Sequence, residues 1–333
     1  MNGQRTQLLQ HSRCCTEDCG KRAPEEVKRR AGPSPKSACS RKMSDIYFNY
    51  KGTLFSPVAT SAEDLSFVEN EFQVLDDDIF NITYPKSGTS WMIEILSLIL
   101  KNGDPTWIKT VPNWERAPWL EIVGCAKNLQ LSKERPRLIT SHLPRHIFTK
   151  TFEGSNAKVI YTIRNPKDTA ISLYYFSKMF VCYKDPDSID DFLKDFLVGN
   201  LSRGSWFSHV KGWMKLMGQD NFMFHTYEDL QKDLRGSVMK ICKFLGKELD
   251  DKAVDSVVAN VSFENMKENN MSNFTRLPNH FMDLDKSPFM RKGIVGDWKN
   301  HFTVAQNEYF DKIYKAEMQD FPVKFPWDES IYN

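Results

Sequence analysis

The sequence predicts a single α/β domain built on a central parallel sheet flanked by helices. Three observations carry this. Segments with a two-residue apolar period alternate with segments of helical period. Each strand candidate is followed by a helix candidate, the pattern of a parallel sheet covered on both faces. The polar residues best suited to chemistry fall at or just after strand ends, where such sheets hold their ligands.

The first strand–helix junction organises the chain. Ile79 to Thr83 alternates apolar and polar residues as a strand. Met92, Ile95, Leu96 and Ile99 then recur at helical spacing. Between them runs Tyr84-Pro85-Lys86-Ser87-Gly88-Thr89-Ser90-Trp91. Gly88 lets the backbone bend and approach a ligand. The N–H groups of the first helical turn and the helix dipole favour an anion there. Lys86 adds a full charge, and Ser87, Thr89 and Ser90 add hydroxyl donors. The loop is P-loop-like but departs from Gly-x-x-x-x-Gly-Lys-Ser/Thr, because the lysine precedes the only glycine.

Ser61 and Asp64 form a capping box before the apolar face of Leu65, Val68 and Phe72. Residues 102–130 carry Pro105, Pro112 and Pro118 among Trp107, Trp114 and Trp119, and are expected to be loop. Those indoles either pack on the core or wall an apolar pocket. Arg137 to Ser141 reads as a strand ending at His142, and Lys158 to Ile163 as another ending at Arg164. Asn165 as N-cap, Pro166 at the first position and Asp168 at the third start the next helix, which carries Ser172. Ser188 and Asp191 cap a helix, and Trp206, Val210 and Trp213 mark another. Asn221 to Thr226 is the fourth strand candidate, followed by Tyr227; Leu234 to Leu245 is a helix stopped by Gly246. Sequence order therefore brings Lys86, His142, Arg164 and Tyr227 to one sheet edge.

Arg164 can fork onto phosphate, and Arg291-Lys292-Gly293 is a second basic loop far downstream. One cradle plus a second basic cluster suits a ligand phosphorylated at two ends. Of seven histidines only His142 stands at a strand end beside these groups, and an imidazole suits a general base.

Composition limits the rest. The 333 residues, 41% hydrophobic and 13% aromatic, suffice for a large core, and the net charge is only +2. Residues 1–42 carry ten Lys/Arg against four Asp/Glu, are broken by prolines, and are expected to be a disordered basic extension ahead of a domain spanning 43–333. Met43 reads as a second plausible start. The body, with 35 basic and 39 acidic residues, does not support a bulk role on nucleic acid or membrane. No apolar run is long enough to span a bilayer and no secretory signal is seen. Four of seven cysteines lie in the extension without metal spacing, so a reducing compartment and no metal are expected.

The Tyr-Pro-Lys-Ser-Gly-Thr-x-Trp loop, the Ser141-His142-Leu143-Pro144 turn, the Arg164 helix start and the 291–293 loop, in this order, resemble the cytosolic sulfotransferase family over residues 43–330. Phe289 to Gly293, Gly296 to Thr303, Met266 to Asn269 and Thr140 resemble its hydroxysteroid and bile-salt branch. The resemblance implies a cytoplasmic enzyme using 3′-phosphoadenosine 5′-phosphosulfate (PAPS). Lys86 to Trp91 would hold the phosphosulfate, Arg164, Ser172 and Arg291, Lys292, Gly293 the 3′-phosphate, with Tyr227 and Trp91 at the adenine. His142 would activate a hydrophobic alcohol by direct in-line transfer, and Lys86 would stabilise the leaving oxygen. Trp114, Trp119, Phe176, Phe180 and Phe274 are the expected acceptor walls. Lys299, Thr303, Val304 and Glu308 reproduce the family's short dimer motif, implying a homodimer. Val261 departs from the usual Ser or Thr. A small-molecule kinase and a catalytically silent nucleotide-binding scaffold are the rival readings.

Overall fold

The structure, a computed structural model, describes residues 46–279 and 281–332. The expected extension, Met43, four of the cysteines and His11 and His280 lie outside the described residues.

Four parallel strands form the centre: β3 (Ile79–Thr83), β4 (Leu138–Ser141), β5 (Lys158–Ile163) and β6 (Phe222–Thr226), in the order β4-β3-β5-β6. A two-stranded antiparallel hairpin of β1 (Phe48–Tyr50) and β2 (Thr53–Phe55) lies apart from this sheet. β3 is the hub: Ile79 pairs with Leu138 on one side and Lys158 on the other, so the carboxyl ends of three strands stay level. Every residue of β3 is buried, as in a sheet covered on both faces. The period-2 alternation separates two cores. Phe80, Ile82, Ile139, Val159 and Tyr161 face one cluster, while Ile79, Leu138 and Ile160 face another with Met92, Ile95 and Leu96.

The helices follow the chain. α1 (Ala62–Asn70) is capped by Ser61, which accepts from Asp64 N. α2 (Thr89–Leu100) follows the Lys86 loop. Residues 102–130, expected to be loop, instead hold three short helices: α3 (Thr106–Thr110), α4 (Asn113–Arg116) and α5 (Cys125–Leu131). Pro105 and Pro112 sit at the N-cap positions of α3 and α4, where their missing N–H is not needed, so these prolines start helices and do not forbid them.

α6 (Pro166–Met179) starts as read, with Asn165 Oδ1 accepting from Lys167 N at 2.9 Å. Asp168 does something else. Its carboxylate accepts from Gly296 N at 2.7 Å and Trp298 N at 2.9 Å, pinning a distant loop to α6. α7 (Ile189–Val198), α8 (Trp206–Met214) and α10 (Leu234–Leu245) match the spacing of their apolar residues, whereas α9 (Tyr227–Lys232), not expected as a helix, starts at a Thr226–Asp229 capping box. α11 (Asp251–Asn260) and α12 (Phe263–Glu268) follow with no counterpart among the elements expected from the sequence. α13 (Val304–Met318) begins at a Thr303–Gln306 capping box, and α14 (Asp328–Tyr332) ends the described chain. No helix among the described residues is long and apolar enough to cross a membrane.

Candidate active site

The carboxyl ends of the strands open into one cavity of about 700 Å³, within the range of small-molecule sites. Its floor is the loop between β3 and α2. Lys86 (φ +71°) and Gly88 (φ +105°) are both left-handed, which folds the loop back over the start of α2. Gly88 cannot be replaced freely, since a Cβ there would stand 2.9 Å from Tyr227 Cδ2. Beneath the loop, Thr83 Oγ1 and Thr89 Oγ1 lie 2.6 Å apart and Asn81 Nδ2 donates to Thr89 O. Ser87 does not reach the cavity wall: it is fully buried and its hydroxyl finds no hydrogen-bond partner.

Lys86 Nζ stands 4.3 Å from the ring centroids of both Phe176 and Phe289. Desolvation, with the Arg164 and Arg291 charges nearby, holds its ammonium down to about 7. A cation so poorly solvated is poised for an anion.

His142 follows β4. Its Nδ1 lies 2.8 Å from the Thr83 carbonyl oxygen, which can only accept. Nδ1 therefore carries the proton, and Nε2 keeps its lone pair. Burial pushes the imidazole down to about 4, so it stays neutral across the physiological range with Nε2 free to accept a proton. Its backbone N–H donates to Glu121 Oε1 at 2.9 Å, and Ser141 Oγ donates to Glu121 Oε2 at 2.9 Å. Glu121 reaches this place because residues 118–120 run beside β4, with Thr140 N donating to Pro118 O and Leu120 N to Thr140 O.

A second basic cluster adjoins the Lys86 loop. Arg164 donates to Lys86 O at 3.2 Å and to Ile294 O at 3.0 Å, so one guanidinium bridges the two basic loops. Its Nε is buried and unpaired, and its carbon lies 4.4 Å from the Tyr227 ring centroid. Arg291 and Lys292 both grip Asp297, each at 2.6 Å, which holds that carboxyl far below the usual range despite its burial. Gly293 (φ +66°) lies so close to Phe263 that a Cβ would stand 2.2 Å from its Cδ2. Gln231 donates to Gly293 O at 2.9 Å and to Tyr227 Oη at 3.1 Å. Ser172 lines the same cavity, and so do Thr89, Ser90, Trp91 and Lys292. Trp91 meets Tyr227 edge-on at 5.2 Å and donates to Val261 O at 2.9 Å. Val261 thus serves through its backbone.

The other end is aromatic. Phe176 stacks on Phe180 at 4.9 Å, Phe274 meets Phe289 at 4.2 Å and Trp114 at 5.4 Å, and Trp119 lies 6.2 Å from the His142 ring. All five expected wall residues line the cavity. Trp107 does not; it covers Lys101 and Arg116. Phe289, Tyr183, Gln231 and Arg203 also line the cavity and Glu121 supports His142, none of them expected from the sequence. Only Phe289 carried a signal, its neighbours in the 289–293 motif.

A family profile described as Sulfotransferase domain matches residues 76–322. The chain belongs to the sulfotransferase family. This sulfotransferase is 55% identical over 293 residues to Sulfotransferase 2B1 of Homo sapiens, covering 88% of this chain and 80% of the relative. It is 48% identical to 3-beta-hydroxysteroid sulfotransferase of Cavia porcellus, covering 86% of this chain and all of the relative. The solved structure of mouse sulfotransferase SULT7A1 complexed with PAP superposes with a TM-score of 0.70 at 32% identity, covering 83% of this chain and 95% of that one.

Proposed function

We propose that this sulfotransferase transfers the sulfuryl group of PAPS to the hydroxyl of a hydrophobic acceptor, a hydroxysteroid, bile acid or related alcohol. The carrying observation is one cavity lined by the Lys86 loop, by Arg164 and Arg291, by aromatic rings and by His142, whose ring lies 6.2 Å from that of Trp119 and whose Nε2 is left without a proton.

The residues present fit the donor. Unpaired buried donors at Ser87 Oγ and Arg164 Nε lie in or beneath a cradle whose glycines are already in close contact. Lys86, Gly88, Thr89, Ser90 and Trp91 would hold the phosphosulfate from the cavity wall, with Ser87 behind the loop able to reach it only if its buried hydroxyl turns outward. Arg164, Ser172, Arg291, Lys292 and Gly293 would hold the 3′-phosphate, with Tyr227 and Trp91 flanking the base. PAPS supplies the sulfuryl group and a nucleotide leaving group. His142 Nε2 takes the proton of the acceptor hydroxyl, its tautomer fixed by the Thr83 carbonyl. Lys86, charged once an anion is beside it, stabilises the leaving oxygen. The rings of Trp114, Trp119, Phe176, Phe180 and Phe274 exclude water and supply the apolar surface a fused-ring alcohol needs. The name of the guinea-pig relative supports the steroid class.

We further read residues 1–42 as an extension and 43–333 as the catalytic domain, working in the cytoplasm as a homodimer through Lys299, Thr303, Val304 and Glu308. Val304, apolar and 75% exposed at the start of α13, supports that contact. Among the described residues no group of three or more His, Cys, Asp or Glu is arranged to hold a metal.

The test incubates the protein with labelled PAPS and a panel of sterols, bile acids and phenols, with and without EDTA. Labelled sterol or bile acid in both arms supports the reading. Donor binding without product from any acceptor would favour a silent scaffold, and loss of product in EDTA would require a metal.

A further inference from the structure

One cation in the cavity wall has no part in the chemistry above. Arg203 is 5% exposed and lines the cavity. Its donors are largely unspent. Nη1 and Nη2 share a single hydroxyl, Thr60 Oγ1, at 3.4 and 3.5 Å, and Nε is buried with no partner. Glu121 is the nearest carboxylate, but Arg203 Nη2 is 3.7 Å from Oε1. Both Glu121 oxygens are already taken by His142 N and Ser141 Oγ. A guanidinium has five N–H donors, and leaving them unmet in a buried place is costly.

The backbone holds this side chain in place deliberately. Arg203 has φ +77°, a left-handed conformation rare for a long side chain. It is fixed from both sides. Arg203 N donates to Leu54 O at 2.9 Å, and Tyr84 Oη, from the donor loop, donates to Gly204 O at 2.9 Å. The guanidinium carbon rests 4.9 Å from the Phe55 ring centroid. Arg203 Nη2 and the His142 backbone N–H share Glu121 Oε1, and the Arg203 charge acts on the His142 imidazole, so the two side chains occupy one neighbourhood of the cavity.

We propose that Arg203 forms a subsite for a second, uncharged oxygen, a hydroxyl or carbonyl, carried by the acceptor near its reacting hydroxyl. The charge balance selects that chemistry. Arg203 and Glu121 together are neutral, so a carboxylate would meet Glu121 as well as the cation, whereas a neutral oxygen meets the spare N–H alone. The preferred acceptor is then a 1,2- or 1,3-oxygenated alcohol, a diol or hydroxyketone. This rests on reading the cavity as the acceptor site.

The test compares two probes with saturating PAPS: a steroid nucleus bearing one hydroxyl and no other oxygen, and the same nucleus with a second hydroxyl on the neighbouring carbon. The wild type is expected to favour the diol in kcat/KM by about tenfold or more, as a hydrogen bond to a charged group implies. Arg203→Met should collapse that ratio toward one, acting mainly on the diol, with nucleotide affinity retained. Arg203→Gln, which keeps a neutral donor and most of the volume, serves if the methionine variant unfolds and should shrink the ratio. No preference in the wild type, or an undiminished preference in either folded variant, overturns the subsite. Turnover of neither probe by the wild type would overturn the acceptor reading itself, and the subsite with it.

Discussion

Lys86 offers a prediction that can be worked through from its surroundings. In the free protein its ammonium is held to about 7 by desolvation and by Arg164 and Arg291. A bound phosphate group restores the charge, so binding raises this pKa and takes up a proton wherever the free lysine is neutral. Below pH 7 the lysine is already charged and affinity should be flat in this respect. Above 7 each pH unit should weaken binding by about tenfold. The loss levels off once the whole value of the charge is spent, about 1.5–3 kcal/mol for a hydrogen bond to a charged group. Calorimetry with the unreactive bisphosphate product, from pH 6.5 to 9 in two buffers of different ionisation enthalpy, measures both affinity and proton uptake. Both phosphates of the product, with second pKa values of about 6, are fully ionised over the alkaline part of this range and do not mimic the effect. Glu228, raised to about 7 by burial, ionises in the same window beneath Asn165 N. The slope should survive Glu228→Gln and vanish in Lys86→Met. A slope that persists in Lys86→Met, or a flat wild-type curve, refutes the reasoning.

His142→Ala should lower turnover by about 10²–10⁴-fold with nucleotide affinity little changed, read by product formation and calorimetry. Because Nε2 protonates only near pH 4, the wild-type rate with saturating substrates should show no histidine limb between pH 7 and 5.5; a limb near 6.5 would contradict the buried, carbonyl-bound imidazole. Gly293→Ala places a Cβ 2.2 Å from Phe263 Cδ2 at φ +66°, so nucleotide affinity should fall by about tenfold, the left-handed backbone alone costing about 1–2 kcal/mol, with partial recovery in Phe263→Ala. Arg116→Met strands Glu94 in the core, where the pair is fully buried at 2.5 Å, and should cost about 3–5 kcal/mol of stability in a denaturant titration.

What the sequence disclosed and what it hid divide along the range of the interactions. Caps and turns are written in four or five consecutive residues, so the Lys86 loop, the Asn165–Pro166 helix start and the Gly246 stop were legible. The four strands were legible for the same reason, and with them the edge that collects Lys86, His142, Arg164 and Tyr227. Residues 102–130 misled because proline reads as a breaker, while Pro105 and Pro112 occupy positions where a helix tolerates it. Asp168 looked like a helix-start acid but ties down Gly296 and Trp298, about 130 positions away. Glu121 and Arg203 had no local signature at all. Their meaning lies in contacts with His142 and Thr60 that only the folded chain creates.

The Thr83 carbonyl grips the imidazole from the last residue of the strand whose continuation is the anion loop. In the proposed reaction, nucleophile activation and leaving-group support therefore hang from one strand end, apart from the ringed rim. A lineage could recut the rim for new alcohols, one aromatic at a time, and inherit the reaction geometry intact.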